Sequence, residues 1–187
     1  MEPINILIIT DAQVDFCTGS LGTREAVESV PAVVQKIEDA KKEKAIIFAT
    51  KDTHGSDYLE TSEGKYLPVV HTVKDTAGWE FIPEIKRALA GYPVSVVEKD
   101  RFGSFELEER IRLKTVEMGR NVMNGQDLVI TLIGWCTDIC VISNAIILKA
   151  AFPEARIIVD SKCCAGVTPE LHDAALKVMA SCQIEII

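Results

Sequence analysis

Four apolar runs in this 187-residue chain lead into side chains able to do chemistry. Asp11 follows INILIIT, Asp52 and His54 follow AIIFAT, Lys99 closes VSVVEK, and Cys136 and Cys140 follow DLVITLI. A carboxylate, an ammonium and a thiol meeting in one pocket would supply a base, a cation and a nucleophile, the parts needed for covalent acyl transfer. Spacing alone leaves the nucleophile open, since either cysteine of GWCTDIC also suits the role of a small packed core residue. Asp52-x-His54 with the later His71 is a workable ligand set for zinc or another divalent ion, with positions left for water or a ligand atom. The same three residues would serve equally as hydrogen bonders in a loop.

These residues can converge only if the apolar runs are strands whose carboxyl ends share one rim. The chain alternates such runs with helical stretches: 4–10, then 29–43; 45–50, then an irregular stretch and 82–90; 94–99, then 104–117. It continues with 127–133, then 137–151; 155–160, then 169–181; and a closing strand over 184–187. Strands apolar on both faces are covered on both faces. The expected fold is therefore a three-layer α/β/α sandwich around a mostly parallel six-stranded sheet, with its site beyond the carboxyl ends of the strands. TPELHDAALKVM offers Thr168 as N-cap and Pro169 at the first helical position, with Leu171, Ala175 and Val178 on one face.

A chain of this length forms one domain, 1–187, burying roughly 70% of its unfolded surface. Its net charge of -8 argues against nucleic acid, whose phosphates need clustered Lys and Arg, and favours a small-molecule substrate. The start MEPINILIIT has no basic n-region and is too short in its apolar part to cross a bilayer, so no membrane partner and a cytoplasmic location are expected. Six cysteines without a CxxC pair read as reduced thiols, mostly buried, and neither as a redox pair nor as a structural zinc knuckle.

The segments ILIITDAQVDF, EKDRFGSF and GWCTDICV, in this order and spacing, resemble the signature segments of the isochorismatase-like cysteine hydrolases; CAGVTPELHDAAL extends the similarity toward the end of the chain. The resemblance implies a catalytic triad of Asp11, Lys99 and Cys140, and so selects the second cysteine. It also implies a cis Trp135–Cys136 peptide bond and an oxyanion hole made by the backbone N–H groups of Cys136 and Cys140. With Thr137 or Asp138 as cap, Cys140 would lie in a first helical turn, where the helix dipole and Lys99 favour thiolate.

Within that family the match is to the nicotinamidase branch, whose metal site reads Asp-x-His…His and whose ion binds the substrate's ring nitrogen. This implies a divalent cofactor, zinc first and iron or manganese next, held by Asp52, His54 and His71. Glu63 is the expected fourth ligand and Glu60 its rival. Phe16, Phe102 and Trp135 are expected to wall the substrate pocket. The implied activity is hydrolysis of nicotinamide to nicotinic acid and ammonia in NAD salvage, through a thioester, by a homo-oligomer. Hydrolysis of another small amide, carbamoyl or ureido compound is the alternative.

Overall fold

The structure, a computed structural model, describes residues 2–187. Its strands are β1 (Ile4–Thr10), β2 (Ile46–Asp52), β3 (Val94–Lys99), β4 (Leu128–Trp135), β5 (Arg156–Ala165) and β6 (Glu185–Ile186). They form one six-stranded, all-parallel sheet in the order β3-β2-β1-β4-β5-β6. The helices are α1 (Val14–Cys17), α2 (Arg24–Lys42), α3 (Ser62–Tyr66), α4 (Pro83–Leu89), α5 (Phe105–Glu117), α6 (Ile142–Ala151) and α7 (Pro169–Ser181). The three-layer α/β/α expectation holds.

The period of two in the strands divides the core in half. Ile4, Ile6 and Ile8 of β1 and Leu128, Ile130 and Leu132 of β4 pack against Leu107 and Ile111 of α5, Leu148 of α6 and Met179 of α7. Leu7, Ile9, Ile47, Ala49 and Ile133 face the other way, onto Val33 and Ile37 of α2 and Ile85 of α4. Each Leu, Ile, Val or Met among them, fully buried, contributes about 1.5–3 kcal/mol. Both faces of the central strands are thereby covered, which is why β1 and β4 are apolar almost throughout.

Several details differ from the sequence reading. Helix α2 begins at Arg24 rather than at 29, because Thr23 caps it by accepting the N–H of Ala26 at 3.1 Å; Pro31 is tolerated inside the helix on an exposed turn. Strand β5 runs on to Ala165, so Cys163 and Cys164 lie within it; a bulge between its pairings Leu132↔Val159 and Gly134↔Cys164 absorbs the extra residues. In α7, Thr168 caps as expected, but the inward face is Ala175 and Met179 while Leu171 and Val178 are exposed, since the helix leans on the sheet along a neighbouring stripe.

Strand order reverses between β1 and β4, the place where an open parallel sheet leaves a crevice at its carboxyl edge. The two backbones approach closely there. A Cβ on Gly134, whose φ is +110°, would lie 2.0 Å from the carbonyl oxygen of Thr10, so only glycine fits.

Candidate active site

Asp11 leaves β1 in the left-handed region, with φ +47°, beside the crevice. Thr50 of β2 clasps it: its hydroxyl donates to Asp11 Oδ1 at 2.7 Å, and the Asp11 N–H reaches the Thr50 carbonyl at 3.2 Å. Lys99, paired with Asp52 in the β2–β3 register, extends across β2 to place Nζ 3.3 Å from Asp52 Oδ1 and 2.7 Å from Asp11 Oδ2. The same ammonium lies 3.5 Å from Cys140 Sγ. All three side chains are buried, so these charges interact with little solvent screening.

Burial sets the protonation states. It raises the Asp11 carboxyl above the ordinary aspartate range, with the Lys99 charge pulling back down. Burial alone would lower Lys99, but Asp11, Cys140 and Asp52 together carry it well above an ordinary lysine. Burial lifts the Cys140 thiol well above its ordinary value, more than Lys99 offsets, and Asp11 and Asp52 add to the rise. Burial thus favours the neutral thiol of Cys140 beside the Asp11–Lys99 pair. This runs against the expected thiolate: desolvation outweighs the pull of the one shared ammonium.

The helix start at Cys140 also differs from expectation. Residues Thr137–Val141 form a π-helical turn ahead of α6, with Cys136 in the N-cap position and no side-chain cap. Thr137 is engaged elsewhere, its hydroxyl 2.8 Å from His172 Nδ1, and Asp138 Oδ1 accepts the N–H of Val167 at 2.9 Å. Both candidate caps therefore anchor the turn to α7 and the segment leading into it. Asn144 fixes its other side, donating to the Cys140 carbonyl at 2.9 Å and accepting the N–H of Ser104 at 3.0 Å. The Trp135–Cys136 bond is cis. Burial pushes the Cys136 thiol up to about 12.

Beside Asp11, Lys99 and Cys140, the residues Asp52, His54 and His71 present ligand atoms that all lie within 4.8 Å of one another and could hold a metal ion. His71 arrives because the backbone after it pairs with His54: the His54 N–H reaches Thr72 O at 3.1 Å, and Lys74 N returns to His54 O at 2.9 Å. Carbonyl Val69 O lies 2.8 Å from His71 Nδ1, an arrangement that puts the proton there and leaves Nε2 as a lone-pair donor. His54 Nε2 and His71 Nε2 stand 2.9 and 3.4 Å from Asp52 Oδ2, yet His54 Nε2 closes no hydrogen bond and is buried. Glu63 Oε1 lies 3.9 and 3.8 Å from the same two nitrogens, whereas Glu60 is exposed. A buried imidazole nitrogen without a partner, facing carboxylate oxygens, is the donor set a divalent cation needs.

Of the expected pocket walls, Phe16 is buried with its ring edge-on to His71, centroids 5.6 Å apart. Phe102 lies in the loop after Lys99 and is half exposed. Trp135 is a correction: it has no exposed surface, and its indole donates to Ser29 Oγ at 2.9 Å, because the strand's alternation turns position 135 into the α2 layer. Sequence reasoning missed Tyr58, whose ring packs 4.6 Å from His54 and 4.8 Å from His71. It also missed Thr72, which donates to Asp52 Oδ2 at 2.9 Å. The only signals were a hydroxyl in an apolar run (Thr50) and polar residues next to the histidines.

Two surface cavities lie elsewhere. One, of about 360 Å³, runs under the end of α2 among ion-paired side chains such as Lys42 and Asp39; the other, of about 1020 Å³, runs along α5. Neither is lined by a cysteine or a histidine, so the chemistry points to the closed strand-end site.

The sequence matches the isochorismatase domain over residues 5–187. A pyrazinamidase of Pyrococcus horikoshii, solved in complex with zinc, superposes with a TM-score of 0.77 at 25% identity, covering 99% of each chain. A pyrazinamidase/nicotinamidase from Streptococcus mutans superposes at 0.80 and 25%, covering 98% of this chain and 99% of that one. An N-carbamoylsarcosine amidase from Thermoplasma acidophilum shares the fold, at 0.73 and 24%, covering 100% and 95%. Among curated protein sequences, none matches the chain. No helix among the described residues is long and apolar enough to cross a membrane.

Proposed function

The chain belongs to the isochorismatase family of hydrolases, and from that premise we propose that it is a cysteine amidohydrolase converting nicotinamide to nicotinic acid and ammonia. The observation that carries this reading is the position of Lys99 Nζ, 2.7 Å from Asp11 Oδ2 and 3.5 Å from Cys140 Sγ.

Asp11 takes the thiol proton as Cys140 Sγ attacks the amide carbonyl, so a buried thiolate need not accumulate. The backbone N–H groups of Cys136 and Cys140 receive the developing oxyanion. As the tetrahedral intermediate collapses, the proton on Asp11 passes to the amide nitrogen, which leaves as ammonia and leaves a thioester on Sγ. Water then gives a proton to Asp11 and adds to the thioester. Carboxylic acid departs, and Asp11 returns the proton to sulfur. Lys99 stays protonated throughout and holds Asp11 ionised between steps.

Asp52, His54, His71 and Glu63 would hold a divalent ion, zinc first and iron or manganese next. When bound, such an ion supplies a Lewis-acid anchor for a ring-nitrogen lone pair. The relative from Pyrococcus horikoshii, solved with zinc, supports this choice. Phe16 and Tyr58 keep the His71 ring in place.

A second reading is hydrolysis of a smaller carbamoyl or ureido compound, favoured by Trp135 being turned into the core, which leaves fewer aromatic walls for a flat ring. Ammonia release across a panel of primary amides and ureido compounds tests both. Turnover of nicotinamide with a mass-detected nicotinoyl adduct on Cys140 is the expected result. Turnover of ureido compounds alone would replace the substrate and keep the mechanism. Release that survives loss of the Cys140 thiol would reject the mechanism.

A further inference from the structure

Behind the cation-ligand group lies a brace that the proposed reaction does not use. Alternation along the end of β2 sends Asp52 and His54 toward the site and Lys51 and Thr53 to the opposite side. There a single residue meets both. The Lys51 ammonium sits 3.0 Å from the centroid of the Trp79 ring, and the Trp79 indole N–H donates to Thr53 Oγ1 at 2.8 Å. Thr53 Oγ1 donates in turn to the Lys51 carbonyl at 3.0 Å.

Trp79 is also tied to Asp52 through Gln13, a wholly buried side chain with every polar atom satisfied. Its Nε2 donates to the carbonyls of Trp79 and Asp52, both at 2.8 Å, while its Oε1 accepts the Asp52 N–H at 2.7 Å. Three successive residues of β2 and its continuation, 51, 52 and 53, are thus held from behind by one indole and one carboxamide. The direction of the Asp52 and His54 side chains follows from the backbone they hold.

We propose that Trp79 is a positioning residue for the divalent-ion group, acting through its N–H bond to Thr53 to keep Asp52 and His54 converged on one point. The proposal rests on the cation reading above. Outer contacts of this kind change metal affinity by about 10–100-fold without touching the ion. Residues acting through one shared bond do so non-additively.

The test is a zinc titration of the full-length, metal-stripped protein against a chromophoric chelator. Trp79→Phe keeps an aromatic face under Lys51 and removes only the N–H; Thr53→Val removes its acceptor. Each is expected to weaken zinc about tenfold, and the double variant no more than either alone. The rate of Cys140 alkylation in the zinc-free protein should stay at the wild-type value. Unchanged zinc affinity in both variants would overturn the proposal. So would an affinity loss accompanied by faster Cys140 alkylation, since that marks a loosened fold rather than a displaced ligand pair. If Trp79→Phe does not fold, Thr53→Val decides alone. A wild-type protein that binds no zinc, iron or manganese fails the cation reading itself, which is a separate result from variants that match a zinc-binding wild type.

Discussion

Lys99 and Asp11 form an ion pair 2.7 Å long with both side chains shut away from solvent. In water such a pair contributes little. Here each charge would be stranded without the other, and removing one partner of a buried pair typically costs about 3–5 kcal/mol. Lys99→Met should lose stability on that order, read as a lower urea midpoint. It should also lose turnover, because Asp11 without its cation takes up a proton and no longer serves as a base. A stable, active Lys99→Met protein would reject the pairing.

Acidity should follow the directions set by burial. Asp11 must be ionised to act, and its carboxyl titrates above the ordinary value of 3.8, so the acid limb of kcat/KM should lie above that pH. The sign for stability is opposite. A raised carboxyl favours the protonated fold, so the Asp11 contribution is present in acid and declines as pH rises through the folded value. Potentiometric stability curves with Asp11→Asn as reference separate the two effects.

Cys140 should behave as a protonated thiol at rest. Iodoacetamide labelling, followed by peptide mass, should be slow at neutral pH and should keep rising beyond the ordinary thiol value of 9.0. A plateau near pH 7 would show a resting thiolate and contradict the electrostatics.

The two cysteines of GWCTDIC should separate cleanly. Cys140→Ala should abolish turnover with the fold retained, whereas Cys136→Ala keeps its backbone N–H and should cost far less. Comparable losses from both variants would remove the distinction on which the nucleophile assignment stands.

His71→Ala, or stripping with a chelator, should lower bound zinc and the melting temperature together. At a free metal concentration 100 times Kd, binding stabilises the fold by about 2.7 kcal/mol. Zinc analysis and calorimetry of the two forms provide the check; identical melting curves with and without zinc would argue against the site.

His172→Ala should slow turnover through the nucleophile turn. Losing its 2.8 Å bond to Thr137 should cost about 0.5–1.5 kcal/mol of stability and lower kcat with KM little changed. A change confined to KM would place His172 at the substrate instead.

The chain's order of apolar runs and its polar residues at their ends were enough to specify a three-layer α/β/α fold and to mark Asp11, Lys99 and the cysteine pair, since strand burial and strand ends leave local signatures. The direction of alternation was also readable in principle: Trp135 shares the α2 face of the sheet with Ile133, as a period of two along β4 requires, which places its ring in the core. Tertiary structure alone decided the rest. That Thr137 and Asp138 bond α7 and its leading segment rather than cap a helix depends on residues some 29 and 35 positions away. That Cys140 rests as a thiol depends on how completely neighbouring elements exclude water from it, and desolvation is a property of packing that no local pattern of residues contains.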